Sequence, residues 1–250
     1  MRDVEIIAHR GYSARAPENT LAALRLAIDA RADAIEFDLH FTADREPVLF
    51  HDFTLERTST GKGRLDALDL DALRVLDVGG WFGAAYAGER VGTFREALDL
   101  LAAHRWPHGP IRRVYPEIKG WRDDEDAARV VHDLRKSGWL EHACVISLDW
   151  DVLERVRAHE RDVLLGLVFD DDRLFDSAID LARGDGRTLL DPDHRLLLAR
   201  PDRARECHEA GLDLACWTVN DPKAARRLVD MGVTRLTTNE VDLIREAVQP

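Results

Sequence analysis

Residues 34–39 read Ala34-Ile35-Glu36-Phe37-Asp38-Leu39, and the fold is decided by how this run alternates. On an extended strand successive side chains point to opposite faces, so Ile35, Phe37 and Leu39 share one side and Glu36 and Asp38 the other. The apolar side must face helices. The two carboxylates then point into the interior of the sheet, where like charges at short range in low dielectric cannot both stay ionised without compensation. A cation would compensate them.

On either side of this run, short apolar stretches alternate with amphipathic ones along the whole chain, the pattern of parallel strands crossed by helices. Strands are predicted at residues 4–9, 34–40, 113–118, 143–147, 163–169, 188–191, 213–218 and 234–238, with helices starting near 19, 93, 124, 150, 172, 199, 221 and 239. Eight of each predict closure into a (β/α)8 TIM barrel, and 250 residues match the usual size of one such domain, here residues 1–250. Asn19-Thr20 and Asp149 can cap helix N-termini, while Gly138, Gly211 and Gly232 suit left-handed positions after helix C-termini. Ala127, Val130, Val131 and Leu134 recur at helical spacing and read as a stripe packed on the barrel. Residues 52–92 break the alternation, with Thr58-Ser59-Thr60-Gly61-Lys62-Gly63 and Gly79-Gly80-Trp81-Phe82-Gly83 but no clear βα unit. They are read as an insertion after the second barrel strand, where a loop ordinarily runs about 2–6 residues. Pro47-Val48-Leu49-Phe50-His51, just before it, reads as an antiparallel extension of the strand 34–40.

Bulk properties narrow the function. Apolar residues at 45% and charged residues at 33% place the chain among soluble globular proteins able to bury a large core. A formal net charge of −12 without a basic stripe repels a polyanion, which speaks against nucleic acid as a partner. A small phosphate ester stays open, because local cations and a bound metal can reverse the potential of one cleft. Cys144, Cys207 and Cys216 are an odd count without paired spacing, which argues against a disulfide framework and for a reducing compartment. Met1-Arg2-Asp3-Val4-Glu5 holds two acids and enters a strand pattern at once, so no signal peptide is expected. No run approaches the roughly 20 apolar residues of a bilayer span, so membrane insertion is not expected either. The expected location is cytoplasmic; oligomeric state is not legible.

The strand 113–118 repeats the acidic arrangement. In Tyr115-Pro116-Glu117-Ile118-Lys119 an acid and an amine stand two residues apart and project together at the C-terminal end, where barrels place active sites. Glu36, Asp38 and Glu117, with no His/Cys cluster at metal spacing, make a hard oxygen site that favours one divalent cation, Mg²⁺ or Ca²⁺, over Zn²⁺, with Mn²⁺ also compatible. Glu36-x-Asp38 taken alone has an exposed strand face as its plain alternative, and Lys119, one of four lysines, has an internal pair with Glu117 as its own. Repetition on a second strand is what argues for a site. The first strand ends in Ala8-His9-Arg10-Gly11, with a glycine that permits a tight turn at the rim, and His51-Asp52 follows closely on the first acidic strand. Two imidazoles beside a divalent metal supply a proton donor and acceptor in the physiological range.

Taken together, His9-Arg10-Gly11, Pro17-Glu18-Asn19-Thr20, Ala34-Ile35-Glu36-Phe37-Asp38 and His51-Asp52 resemble the signature of the glycerophosphodiester phosphodiesterase family in order and spacing. The likeness continues through Leu55-Glu56-Arg57-Thr58, Glu117-Ile118-Lys119 and Trp217-Thr218-Val219-Asn220, so it covers nearly the whole chain. It implies a (β/α)8 barrel with Glu36, Asp38 and Glu117 as metal ligands, His9 and His51 as acid and base, and Arg10 and Lys119 on the phosphate. It also implies that the insertion forms a small cap over the barrel mouth. The implied reaction is metal-dependent hydrolysis of a small-molecule glycerophosphodiester to glycerol 3-phosphate and an alcohol, with water or the neighbouring glycerol hydroxyl as nucleophile.

The sequence departs from the family pattern at three places: Asp44-Arg45-Glu46-Pro47, where an Asp-Gly turn is usual; Gly92, where proline is common; and Thr237-Thr238-Asn239, where Thr-Asp is usual. Rate and substrate preference are the properties these touch. Trp217 is expected in the wall of the substrate pocket, with core packing as its alternative, and Trp81, Phe82 and Tyr86 divide the same way. Asp191 and His194 are expected to make structural hydrogen bonds, and Ser147 lacks the elbow or base partner of a nucleophile. Two other functions compete. A lysophospholipase D-like lipid phosphodiesterase needs an apolar landing surface, and a non-catalytic barrel that binds a phosphate ester is disfavoured because every expected position is filled.

Overall fold

The alternation of residues 34–39 is realised in the strand β2 (Ala34–Phe41), every residue of which is buried. A computed structural model describes residues 4–249; Met1, Arg2 and Asp3, on which the expectation about a signal peptide rests, lie outside the described residues. The other barrel strands are β1 (Glu5–Ala8), β4 (Arg113–Ile118), β5 (Cys144–Ser147), β6 (Leu164–Phe169), β7 (Thr188–Pro192), β8 (Ala215–Cys216) and β9 (Arg235–Thr238). They are parallel neighbours in the order β7-β6-β5-β4-β2-β1-β9-β8. The circle is completed between β7 and β8 by single bridges, Leu190 with Leu214 and Asp193 with Trp217. As expected, β3 (Pro47–Leu49) pairs antiparallel with β2.

Two apolar layers follow from the alternation. Outside the barrel, Ile35, Phe37 and Leu39 join the large core beneath the helices. Inside it, Ile7, Ala34, Tyr115, Ile146, Val168 and Leu189 form a plug below the mouth. A Cβ on Gly166 would lie 2.7 Å from Ile146 Cγ2, so the plug has room there for hydrogen alone.

The helices are α1 (Leu21–Asp29), α2 (Leu70–Arg74), α3 (Phe94–Ala102), α4 (Asp124–Lys136), α5 (Trp150–His159), α6 (Phe175–Asp185), α7 (His194–Ala199), α8 (Pro201–Glu209), α9 (Pro222–Asp230) and α10 (Val241–Val248). In α4 the predicted stripe Ala127, Val130, Val131 and Leu134 is buried. Gly138, Gly211 and Gly232 take φ values of +74°, +74° and +95°, as the C-terminal signals require. Where one helix was expected near 199 there are two. Pro201 opens α8, and the restriction proline places on its predecessor holds Arg200 at φ −128°, ψ 74°, outside the helical region. Residues 52–92 contain the short helix α2, not foreseen from the sequence, and Leu55, Leu65, Leu73, Val78 and Val91 build a small core of their own with Val48 and Phe50. The unusual turn between β2 and β3 puts Arg45 at φ 64°, a conformation glycine adopts freely; here its guanidinium holds Asp123 at 2.7 Å and Asp126 at 3.1 Å.

Trp139 is the largest fully buried side chain, and its indole N–H donates to the Leu98 carbonyl at 3.1 Å. Trp139→Ala should cost about 3–5 kcal/mol of stability, read as a lower urea midpoint at unchanged slope. No helix among the described residues is long and apolar enough to cross a membrane. All three cysteines are free and buried.

Candidate active site

At the C-terminal ends of β1, β2 and β4 the lumen turns from apolar to charged. Glu36, Asp38 and Glu117 are buried there, and one carboxylate oxygen from each lies within 4.8 Å of the others, a grouping able to hold a metal ion. Register explains the meeting, since Asp38 stands opposite Glu117 across β2 and β4. Glu36 Oε2 accepts from the Arg10 main-chain N–H at 2.7 Å, and Asp38 Oδ2 accepts from Asn19 Nδ2 at 2.7 Å. Their other oxygens, Glu36 Oε1 and Asp38 Oδ1, are buried without a hydrogen-bond partner. An unpartnered buried acceptor costs about 1–3 kcal/mol, more when charged, so these open oxygens fit coordination by a hard cation.

Arg10 and Lys119 flank the acids. Arg10 Nε lies 3.1 Å from Asp38 Oδ2 and its Nη1 2.7 Å from Glu18 Oε1. Lys119 Nζ lies 2.7 Å from Glu117 Oε1 and 3.6 Å from Asp38 Oδ1, so the internal pair exists but the amine also serves the second strand. The tight turn after β1 aims these groups. Arg10 is at φ 56° and Gly11 at φ +76°, and a Cβ on Gly11 would meet the Ala23 carbonyl carbon at 2.6 Å.

The two histidines have different partners. His9 Nδ1 is 2.6 Å from Asn239 Oδ1, which also accepts from Ser13 Oγ at 2.9 Å, while His9 Nε2 faces Glu36 Oε2 at 3.9 Å. His51 Nδ1 is 2.5 Å from Asp52 Oδ1. Arg57 then bonds Asp52 Oδ2 at 2.5 Å and Glu18 Oε1 at 2.8 Å, closing a chain of charges back to Arg10. Burial, followed by the Arg10 charge, presses the His9 imidazole down to about 4. The Arg57 hydrogen bond, reinforced by that of His51, holds the Asp52 carboxyl at about 2.

Burial and the charges of Asp38 and Glu117 push the Glu36 carboxyl well above its ordinary range, and burial takes Glu117 up to about 7 against the pull of Lys119. Asp38 moves the other way: burial would raise it, but Arg10 and Lys119 hold it below. A carboxyl raised in the fold contributes stability that is fully present below its ordinary value of 4.5 and is lost as pH rises through about 7. In EDTA the melting temperature should therefore fall between about pH 5 and pH 8, and saturating Mg²⁺ or Ca²⁺ should flatten the slope. Scanning fluorimetry across that range checks both; a rising slope in EDTA would contradict the repulsion between the acids.

His9, Arg10, Glu36, His51, Glu117, Lys119 and Trp217 line one cavity, with Asp38 held by Arg10 and Lys119 beside it. Trp217 both walls this cavity and packs on the lumen plug. Trp81, Phe82 and Tyr86 instead stack edge to face on one another, and Tyr86 Oη donates to the Arg15 carbonyl at 2.8 Å, tying the insertion to the rim. Asn19, expected to help cap α1, grips Asp38 from both sides, its Oδ1 accepting from the Asp38 N–H at 3.0 Å, while Thr20 alone caps the helix. His194 makes the structural bond expected of it, to the Trp217 carbonyl at 3.1 Å. Asp191 does not: its Oδ1 is buried without a partner, and the carboxyl lines the cavity, because alternation on β7 turns Leu189 and Asp191 inward and Leu190 to the helices. The inward parity of Asp191 is readable in the sequence; the lack of a partner is not.

The sequence profile of the glycerophosphoryl diester phosphodiesterase family matches residues 9–243. YhdW of Bacillus subtilis (strain 168) is 30% identical over 252 residues, covering 96% of this chain and 96% of its own. The glycerophosphodiester phosphodiesterase of Caldanaerobacter subterraneus subsp. tengcongensis is 26% identical over 98% of this chain and 97% of its own. Among solved structures, an Oleispira antarctica phosphodiesterase in complex with the product sn-glycerol-3-phosphate is similar at a TM-score of 0.88 and 26% identity, covering 97% of this chain and 96% of that one. A matching profile and relatives aligned from end to end leave one assignment: this chain belongs to the glycerophosphoryl diester phosphodiesterase family, whose members are phosphoric diester hydrolases.

Proposed function

We propose that the protein acts as a single barrel domain that hydrolyses a glycerophosphodiester to glycerol 3-phosphate and an alcohol, using one divalent cation held by Glu36, Asp38 and Glu117. The observation that carries this reading is the pair of buried oxygens Glu36 Oε1 and Asp38 Oδ1, neither of which accepts a hydrogen bond, beside a cavity lined by both histidines. In the lumen three carboxylates face the cations Arg10 and Lys119. A divalent ion turns the one remaining negative charge into one positive charge, which a phosphodiester monoanion neutralises. Mg²⁺, Ca²⁺ and Mn²⁺ all suit the oxygen donors, and any of them would supply Lewis acidity at a phosphoryl oxygen.

Arg10 and Lys119 orient the phosphate. Glu18 fixes the Arg10 guanidinium, so little freedom is lost when the ester arrives. With its Nδ1–H given to the Asn239 amide oxygen, His9 presents the Nε2 lone pair to the lumen and takes the proton of the nucleophile, either water or the adjacent glycerol hydroxyl. The Asp52 carboxylate behind His51 accepts from its Nδ1 and aims the ring, so that His51 serves as the acid that gives a proton to the departing alcohol. The three buried free cysteines support a reducing, cytoplasmic setting.

The test is release of glycerol 3-phosphate from glycerophosphocholine by the purified protein, with Mg²⁺, Ca²⁺ or Mn²⁺ supplied in turn and a lysophospholipid assayed alongside. Absence of release with every cation would remove the proposal, and preference for the lysophospholipid would replace it by the lipid reading.

A further inference from the structure

Asp191 is a lumen acid that the mechanism above leaves unused. It is 2% exposed, its Oδ1 has no hydrogen-bond partner, and it lines the same cavity as His9, His51 and Glu117. It is not part of the group of oxygens formed by Glu36, Asp38 and Glu117, so it does not complete that cation site. The neighbouring wall is made of carbon: Val168 is its register partner on β6, and Ile146 and Trp217 line the cavity with it. Trp217 also pins the main chain here, its Nε1–H donating to the Asp191 carbonyl at 3.0 Å. Burial, then the Glu117 charge, pushes the Asp191 carboxyl up to about 8. At neutral pH such a group offers one O–H donor and one carbonyl acceptor. A phosphate would find no cation in this wall, and the Trp217 indole N–H is already given to the Asp191 carbonyl. A short polyol would find carbon to pack on and one polar group that can both give and accept a hydrogen bond.

We infer that Asp191 is a specificity-determining residue, which binds the free hydroxyls of the glycerol arm while Val168 and Trp217 enclose its carbons. The inference rests on the proposed phosphodiesterase reading and adds to it the group that separates a glycerol ester from a simple alkyl ester. A buried site built for a hydroxyl rejects a ligand that lacks it, because its own polar group is then left unpaired.

Competition between two phosphate monoesters tests this, because neither monoester has a diester bond to be cleaved and their ratio reports binding alone. Glycerol 3-phosphate and propyl phosphate are compared as inhibitors of glycerophosphocholine turnover by the cation-loaded protein, as wild type, Asp191→Asn and Asp191→Leu. Wild type should favour glycerol 3-phosphate by roughly 10- to 100-fold. Asp191→Asn keeps a donor and an acceptor and should keep the preference. Asp191→Leu should bind the two monoesters within about 3-fold of each other, with a melting temperature no lower than wild type because an unpaired polar group has been removed. If the leucine variant does not fold, Asp191→Val takes its place. A preference that survives in the folded leucine or valine variant, or that is missing from the wild type, overturns the role of Asp191. A wild type with no turnover of glycerophosphocholine under any cation overturns the phosphodiesterase reading, and this inference falls with it.

Discussion

Alanine at His9 will lower turnover of an alkyl glycerophosphodiester by about 10²–10⁴-fold, and alanine at His51 will lower it by a similar factor, the usual range for loss of a general acid or base. The leaving group separates the two. An alkoxide needs a proton as it departs, whereas 4-nitrophenolate does not, so a glycerol 4-nitrophenyl phosphodiester should restore most of the loss in His51→Ala and little in His9→Ala. The prediction follows from what stands behind each ring: a carboxylate at 2.5 Å behind His51, and an amide oxygen at 2.6 Å behind His9. Steady-state kcat on both substrates decides it. Recovery of His9→Ala in place of His51→Ala would reverse the assignment, and near-normal turnover by both variants with metal present would remove the histidines from the mechanism.

Chelation with EDTA will abolish turnover, and Mg²⁺, Ca²⁺ or Mn²⁺ will return it to differing extents. Neutralising one proposed ligand should cost about 10²-fold or more in turnover at limiting cation for either Glu36→Gln or Asp38→Asn. In EDTA, stability should move in opposite directions. Burial and two acidic neighbours disfavour the Glu36 charge, so Glu36→Gln should stabilise the metal-free fold by about 1–2 kcal/mol. Asp38 is the acid that Arg10, Lys119 and Asn19 hold ionised, so Asp38→Asn leaves those cations underpaired and should destabilise it by up to about 3 kcal/mol. Urea titrations of both variants in EDTA read the signs directly. A common sign would show that the two acids share one environment, contrary to the hydrogen bonds that distinguish them.

Much of the site was legible because its geometry is local. Glu36 and Asp38 share a face through alternation within one strand, and Glu117 and Lys119 repeat that pattern on another. Parity also turns Asp191 inward, yet it was read as a structural hydrogen-bonder, since no local rule says whether an inward carboxyl finds a partner. Asn19 was read as a cap for a similar reason. A residue of that type before a helix usually caps it, and only the packing of the turn against β2 shows its amide clasping Asp38.

The sequence by itself determined which way each acid faces, where eight of the ten α-helices begin to within a few residues, and that an insertion interrupts the second unit, because period and capping depend on neighbours along the chain. Only the tertiary structure decided what each catalytic candidate touches. Asn239 reaches His9 across 230 positions, and Arg57 reaches Glu18 across 39, contacts that exist once the strands close into a ring and the insertion folds back on its rim. Closure is a property of all eight strands together, so no single stretch of the chain can encode which polar groups it leaves paired and which it leaves open.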